Sequence, residues 1–303
     1  MATSDNILRA IGLRLASVAL FGVMNVLIKL AEAGGAALPE ILFWRQFGAS
    51  WLVIGVVLAG PGLASLRTAR FGAHVGRAAV GLVSMGCTFT ALILLPLAEA
   101  TTLGFSMPIF ATILGALVLG EPTGWRRWAA VLVGFAGVLI VAQPGSGHFP
   151  LAGAVFGIAA AILVATVSIL LRQIGRTEAP LTTVFWFSVL SLPPLGLLYA
   201  FYAQEHPPTV WLLLVGLGLA GGAGQIVMTS SLRLGSVSAV VPMDYTALIW
   251  ATLFGWLAFD RLPTRATWIG AAVIVASGLY IVWREHLRRQ EEETRQALGA
   301  PVD

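Results

Sequence analysis

The sequence predicts an all-α membrane protein: ten transmembrane helices arranged as two inverted five-helix repeats, with both termini cytoplasmic. Three observations carry that expectation. The chain has 303 residues, of which 58% are apolar and only 11% charged. Soluble chains hold about 25% charged residues, and a chain with so few cannot solvate a surface of this size. Apolar runs of about 20 residues, enough to cross a roughly 30 Å hydrocarbon core as helix, recur ten times. The arginines fall almost wholly on one side of the resulting zigzag.

Helices are the expected form, because they pair their backbone groups within one segment. The first half places spans at 8–32, 38–59, 73–95, 99–120 and 125–142. The second places them at 151–173, 180–202, 209–232, 236–259 and 264–284. The connections are short and carry Gly, Pro or charge, as at Gly34-Gly35, Pro61-Gly62, Glu121-Pro122, Pro207-Pro208 and Pro263. Residues 143–150, QPGSGHFP, hold no apolar run and read as the junction. The halves are therefore expected at 1–143 and 151–285, followed by a charged cytoplasmic tail at 286–303. Residues 1–32 carry too long an apolar run for a cleavable signal.

With the N-terminus inside, fourteen arginines lie on the cytoplasmic side. Two, Arg261 and Arg265, lie outside, and Lys29 and Arg45 are left within the membrane. Positive residues concentrate in cytoplasmic loops, so the count sets the orientation. Five spans per half is an odd number, so the second half enters the membrane upside down. A faint internal repeat agrees. At an offset of 139, Leu95 falls on Leu234, Ala100 on Ala239, Leu114 on Leu253 and Glu121 on Asp260. Phe43-Trp44 precedes Phe185-Trp186 by 142, and Lys29 precedes Arg172 by 143. Inverted repeats recur in secondary transporters, with the substrate near the midplane between the halves.

Charges within the membrane are the first candidates for function. Lys29 lies about one turn from the outer end of span one, where it can snorkel or pair with Glu32 at i+3. Arg45 lies about 10 Å deep by helical rise. It is expected to be structural, meeting a carboxylate or backbone carbonyls, with Glu40 one candidate partner. Asp244 is the only acid well inside a span, and it follows Pro242, which removes a backbone hydrogen bond. Asp244 either pairs locally, with freed amides or with Arg233, or takes part in transport. The uncharged candidates for a substrate lining are Asn25, Ser84, Thr88, Ser168, Gln225 and Tyr245, together with Phe21. Hydroxyls in membrane helices also bond their own backbone, the plainer expectation for most of them. Spans five and ten carry no deep polar group apart from Ser277, so they are expected to stand outside the cavity.

The stretch VALFGVMNVLIKL sets Phe21, Gly22, Asn25 and Lys29 in one helix. That order resembles the first-helix pattern of the EamA branch of drug/metabolite transporters, which more often has Trp where Phe21 stands. Pro39 with Arg45 resembles the second helix of that family, and Pro108 with Gly120-Glu121 the end of its fourth. Gly134 and Gly137 resemble its fifth helix, and Gly270 and Gly278 its tenth. The pattern departs after Asp260, the counterpart of Glu121, where Arg261-Leu262 follows. The resemblance covers about 8–285, nearly the whole chain. It implies a ten-helix, inverted-repeat exporter of small metabolites, most similar to YddG-type amino-acid exporters.

An intramembrane enzyme needs a nucleophile with its base, a metal cluster or paired carboxylates. The four histidines, His74, His148, His206 and His286, lie in loops or at span ends. No HExxH, GxSxG or CxxC motif is present, and Cys87 is the single cysteine. No metal or cofactor is expected. A channel needs rings of like charge or a carbonyl filter, and neither is visible. The basic residues are scattered, so nucleic acid is not an expected partner. The expected partners are a small molecule and the bilayer, in a bacterial inner membrane, with a monomer compatible with the sequence and the oligomeric state left open by it. A phosphorylated substrate calls for convergent deep cations, and the sequence supplies none. The expected activity is export of neutral, aromatic or branched amino acids by alternating access. A multidrug exporter of the same superfamily is the alternative.

Overall fold

The computed structural model describes residues 4–60, 62–118, 120, 124–144, 150–175, 177–234 and 241–297. Among the described residues it contains eleven α-helical segments and two 3-10 turns, Leu63–Leu66 and Val241–Thr246. The first half holds α1 (Ser4–Ala33), α2 (Leu38–Ala59), α3 (Phe71–Leu94), α4 (Leu97–Gly104), α5 (Met107–Val118) and α6 (Trp125–Ala142). The second holds α7 (Leu151–Ile174), α8 (Pro180–Tyr202), α9 (Pro208–Leu234), α10 (Ala247–Phe259) and α11 (Arg265–Ala297). Nine stretches among these residues are long and apolar enough to cross a membrane, with α4 and α5 counting as one.

Two expected spans are not single helices. The one expected at 99–120 breaks at Phe105-Ser106, between α4 and α5. Pro108 occupies the first turn of α5, where its missing N–H costs nothing and its ring blocks continuation from α4. The one expected at 236–259 is, over its described part, the 3-10 turn around Pro242 followed by α10. With 13 residues, α10 is about 20 Å long, short of the hydrocarbon thickness. Residues 235–240, and Glu121 at the expected end of the fourth span, lie outside the described residues. The charged tail is not separate from the last span, because α11 runs on to Ala297.

The helix pairings keep their pattern when the halves are exchanged. The first helix of the first half, α1, packs on α9, and its counterpart α7 packs on α3. Likewise α2 packs on α9 while α8 packs on α3, and α1 meets α10 while α7 meets α4 and α5. The pairs α2 with α8 and α6 with α11 map onto themselves. Small residues permit the closest approaches. A Cβ on Gly48 would stand 2.7 Å from the backbone of Gly218, so α2 and α9 touch main chain to main chain. The outward faces carry large apolar side chains such as Leu132, Phe201 and Leu212, which lipid satisfies.

Candidate functional site

A cavity of about 300 Å³ lies between α1, α4, α9, the second 3-10 turn and α10. Both broken spans therefore border it: α4 brings its C-terminal end with Gly104 and Phe105, and α10 brings Ala247 from its first turn. At the α4–α5 break the backbone is re-bonded locally, the Phe105 and Ser106 amides donating to carbonyls of α4 and the Ile109 and Phe110 amides to the Ser106 carbonyl; interrupted helices beside a substrate site are common in transporters. No residue of α6 or α11 lines this cavity. These are the fifth and tenth spans, which pack on each other and are tied by Ser277 Oγ donating to the Ala130 carbonyl at 2.6 Å.

One face of α1 supplies much of the wall. Arg14, Phe21 and Asn25 are seven and four residues apart, so they stack along one stripe, with Ser17 and Val18 between. Asn25 carries the only uncommitted amide there: its side chain makes no hydrogen bond among the described residues and faces the cavity. Phe21 lies against Gly224 of α9, where a Cβ would stand 3.1 Å from the ring. Phe105 meets Tyr245 edge to face, with centroids 5.1 Å apart. Thr101 also lines the cavity, and its hydroxyl donates to the Leu97 carbonyl at 2.7 Å.

The charge in the cavity is an ion pair. Arg14 Nε and Nη2 donate to the two carboxylate oxygens of Asp244, each at 2.5 Å. This bidentate contact replaces the local pairing offered for Asp244, with freed amides or with Arg233: the partner stands on α1, 230 residues away. Arg14 itself was read as a cytoplasmic-side cation, yet its side chain is buried. The signal that could have found it is the helical spacing to Phe21 and Asn25.

Lys29 extends the same stripe by one more turn. Its ammonium donates to the carbonyls of Leu92, Ile93 and Leu95 at 2.7, 3.3 and 2.8 Å. These lie at the C-terminal end of α3, just before Pro96, where carbonyls have no partner in the helix. Lys29 is thus a cap on α3 and does not pair with Glu32 by hydrogen bond. It lines a second cavity of about 330 Å³, with Glu99, Phe259 and Arg261 among its walls.

Arg45 is buried and donates to Gln46 Oε1 at 2.5 Å, and not to Glu40. Five residues of helix separate Arg45 from Glu40, which puts them on different faces. Glu40 instead accepts from the Ala37 and Gln204 amides and faces the His206 ring. The other expected lining residues lie elsewhere. Ser84 and Thr88 are on α3, Ser168 on α7 and Gln225 on α9, and none lines the cavity. Thr88 and Ser168 donate to the carbonyls four residues back, at 2.8 and 2.9 Å. Tyr245 borders the site through Phe105 and sets its hydroxyl against Gly278. Phe21, Asn25 and Asp244 are brought together around the cavity.

The sequence matches the model of the EamA-like transporter family over residues 8–143 and 151–283. A riboflavin transporter of Vibrio cholerae is 33% identical over 276 residues, covering 89% of this chain and 92% of its own. A pseudopaline exporter of Pseudomonas aeruginosa is 28% identical over 264 residues, covering 85% and 90%. A solved crystal structure with 24% identity superposes with a TM-score of 0.59, covering 91% of this chain and 98% of that one, and shows a shared fold. These relatives are a riboflavin transporter and a pseudopaline exporter rather than YddG-type amino-acid exporters. The chain belongs to the EamA-like transporter family: it is a multi-pass membrane transporter of small metabolites and not an enzyme.

Proposed function

We propose that this transporter carries a neutral heteroaromatic metabolite of the riboflavin kind through the cavity between α1, α4 and α10, by alternating access. The observation that carries the reading is the free amide of Asn25 in a mostly apolar cavity with aromatic walls, whose only charges are the mutually paired Arg14 and Asp244. A flavin ring presents adjacent carbonyl and imide N–H groups along one edge. An asparagine amide offers one acceptor and two donors, and so complements that edge. Phe21 and Phe105 offer ring surface for the face of such a solute. The Arg14–Asp244 pair is neutral overall and leaves no net charge to demand an ionic ligand. The 33% identical riboflavin transporter supports the same class. Both termini on the cytoplasmic side, in a bacterial inner membrane, complete the proposal, supported by the arginine asymmetry.

A second reading keeps neutral amino acids, and the ion pair favours it. A zwitterion can replace both partners at once, its carboxylate on Arg14 and its ammonium on Asp244. The two readings separate in one experiment. Bacteria unable to make riboflavin are given the gene and grown on limiting riboflavin, and proteoliposomes are tested with labelled riboflavin, Phe, Leu, Met and Thr. Riboflavin-dependent growth and uptake are expected, with Asp244→Asn sparing riboflavin movement. Movement of the amino acids alone, abolished by Asp244→Asn, would replace the flavin reading with the second.

A further inference from the structure

The cavity beside Glu99 adjoins the central one. Leu97, only 3% exposed, belongs to the wall of both. The same face of α1 runs past both, with Asn25 in one and Lys29 in the other. The same face of α10 does so too: Ala247 and Ala251 line the central cavity, and Gly255 and Phe259, at successive steps of four, line the second. The two volumes, about 300 and 330 Å³, are nearly equal.

The second cavity holds a polar group without a partner. Glu99 is 2% exposed, and its Oε1 accepts from Thr267 Oγ1 at 2.8 Å. Its Oε2 is buried and has no hydrogen-bond partner among the described residues. Lys29 does not satisfy it, because the three donors of that ammonium are matched by three carbonyls of the α3 end. A buried carboxylate oxygen without a donor is costly, and a donor that visits the site removes the cost.

We propose that this cavity is a second substrate site on the transport path, separated from the first by Leu97, where Glu99 Oε2 accepts a hydrogen bond from a hydroxyl or imide N–H of a neutral solute. The inference rests on the flavin reading above, whose solute carries both kinds of donor on its polyol chain and ring edge. Leu97 is the partition that the solute passes between the two sites.

The test is a titration of the full-length protein in lipid nanodiscs, read by quenching of riboflavin fluorescence, with uptake into proteoliposomes beside it. Wild type is expected to bind two riboflavins per chain. Glu99→Ala removes one of them or weakens it about tenfold or more, the effect of losing a hydrogen bond to a charged group. Glu99→Gln, whose amide oxygen still accepts, weakens it less. Leu262→Trp, at a 66% exposed position on the rim, fills the second cavity without disturbing the interior and also removes one site. Both losses are accompanied by slower uptake. Wild-type stoichiometry and uptake in Glu99→Ala and Leu262→Trp would overturn the second site and leave the flavin reading standing. A wild-type protein that binds no riboflavin at all would overturn both.

Discussion

The two faces of the molecule each carry a histidine beside a glutamate, and the two pairs are built differently. On the face where α2 begins, His206 Nε2 lies 3.0 and 3.1 Å from the two oxygens of Glu40. Glu40 is fully buried and also accepts from the Ala37 amide at 2.8 Å and the Gln204 amide at 3.1 Å. On the face where α3 begins, His74 stands 3.9 Å from Glu178, and neither His74 ring nitrogen has a hydrogen-bond partner. Glu178 there accepts from Thr68 at 2.8 Å. Each pair joins the start of one helix to a connection in the other half, so each ties the halves together at its own face. One tie is a satisfied hub and the other is a loose contact. The looser pair does not stand alone: at the same face Arg70 donates to the Gln173 carbonyl, Thr182 to that of Ser65 and Trp186 to that of Leu66, so the two pairs differ in build while both faces are tied across the halves.

The comparison breaks outright if the pairs are not on opposite sides of the membrane. Reporter fusions at positions 148 and 206 are expected to score outside, and fusions at 67, 126, 176 and 290 inside. The signal is all-or-none, and the same score at 206 as at 67 and 176 would place both pairs on one face.

The hub should matter far more than the loose contact. Glu40→Ala removes the acceptor shared by the Ala37 amide, the Gln204 amide and the His206 ring, a loss of about 1–3 kcal/mol. Folded, monodisperse yield in detergent should fall sharply. A Glu40→Ala protein with wild-type yield would show that the hub holds nothing.

The smallest effect is expected at the other face. Glu178→Gln keeps an acceptor for Thr68 and loses only a 3.9 Å contact to His74. The expected cost is about 1 kcal/mol or less, because the amide oxygen still accepts from Thr68 and the 3.9 Å approach to His74 is no hydrogen bond, read as a shift in melting temperature of a few degrees at most. A drop as large as that of Glu40→Ala would make the two ties equal and remove the asymmetry.

The fold was largely legible because its main signal is local. A run of apolar residues long enough to span declares itself without knowledge of its neighbours. The self-bonding of Thr88, Ser168 and Thr229 was also legible, since a hydroxyl and the carbonyl four residues back belong to one turn. The partners of charged groups were not. Arg14 finds Asp244 across 230 residues, and near a span end it looks like any other cytoplasmic-side arginine. Lys29 needed knowledge of where α3 stops, because its partners are backbone carbonyls and carry no mark in the sequence. Glu40 was seen only as a candidate for Arg45, while its real partners come from the connection between α8 and α9. Of the expected lining residues, Phe21 and Asn25 share the α1 stripe, which periodicity could show. Ser84, Thr88 and Ser168 lie on helices that do not line the cavity, and Gln225 is on α9, which lines it through Met228 instead; hydroxyl or amide content alone does not say which way a helix turns.

The central claim is that a neutral heteroaromatic solute moves along the Asn25 face of α1. Its most direct test is riboflavin counterflow in proteoliposomes, comparing wild type with Asn25→Ala at equal amounts of folded protein. The account predicts labelled riboflavin entering vesicles preloaded with unlabelled riboflavin, with the variant slower by about tenfold, the worth of one or two lost hydrogen bonds. Counterflow at the wild-type rate in Asn25→Ala would contradict it.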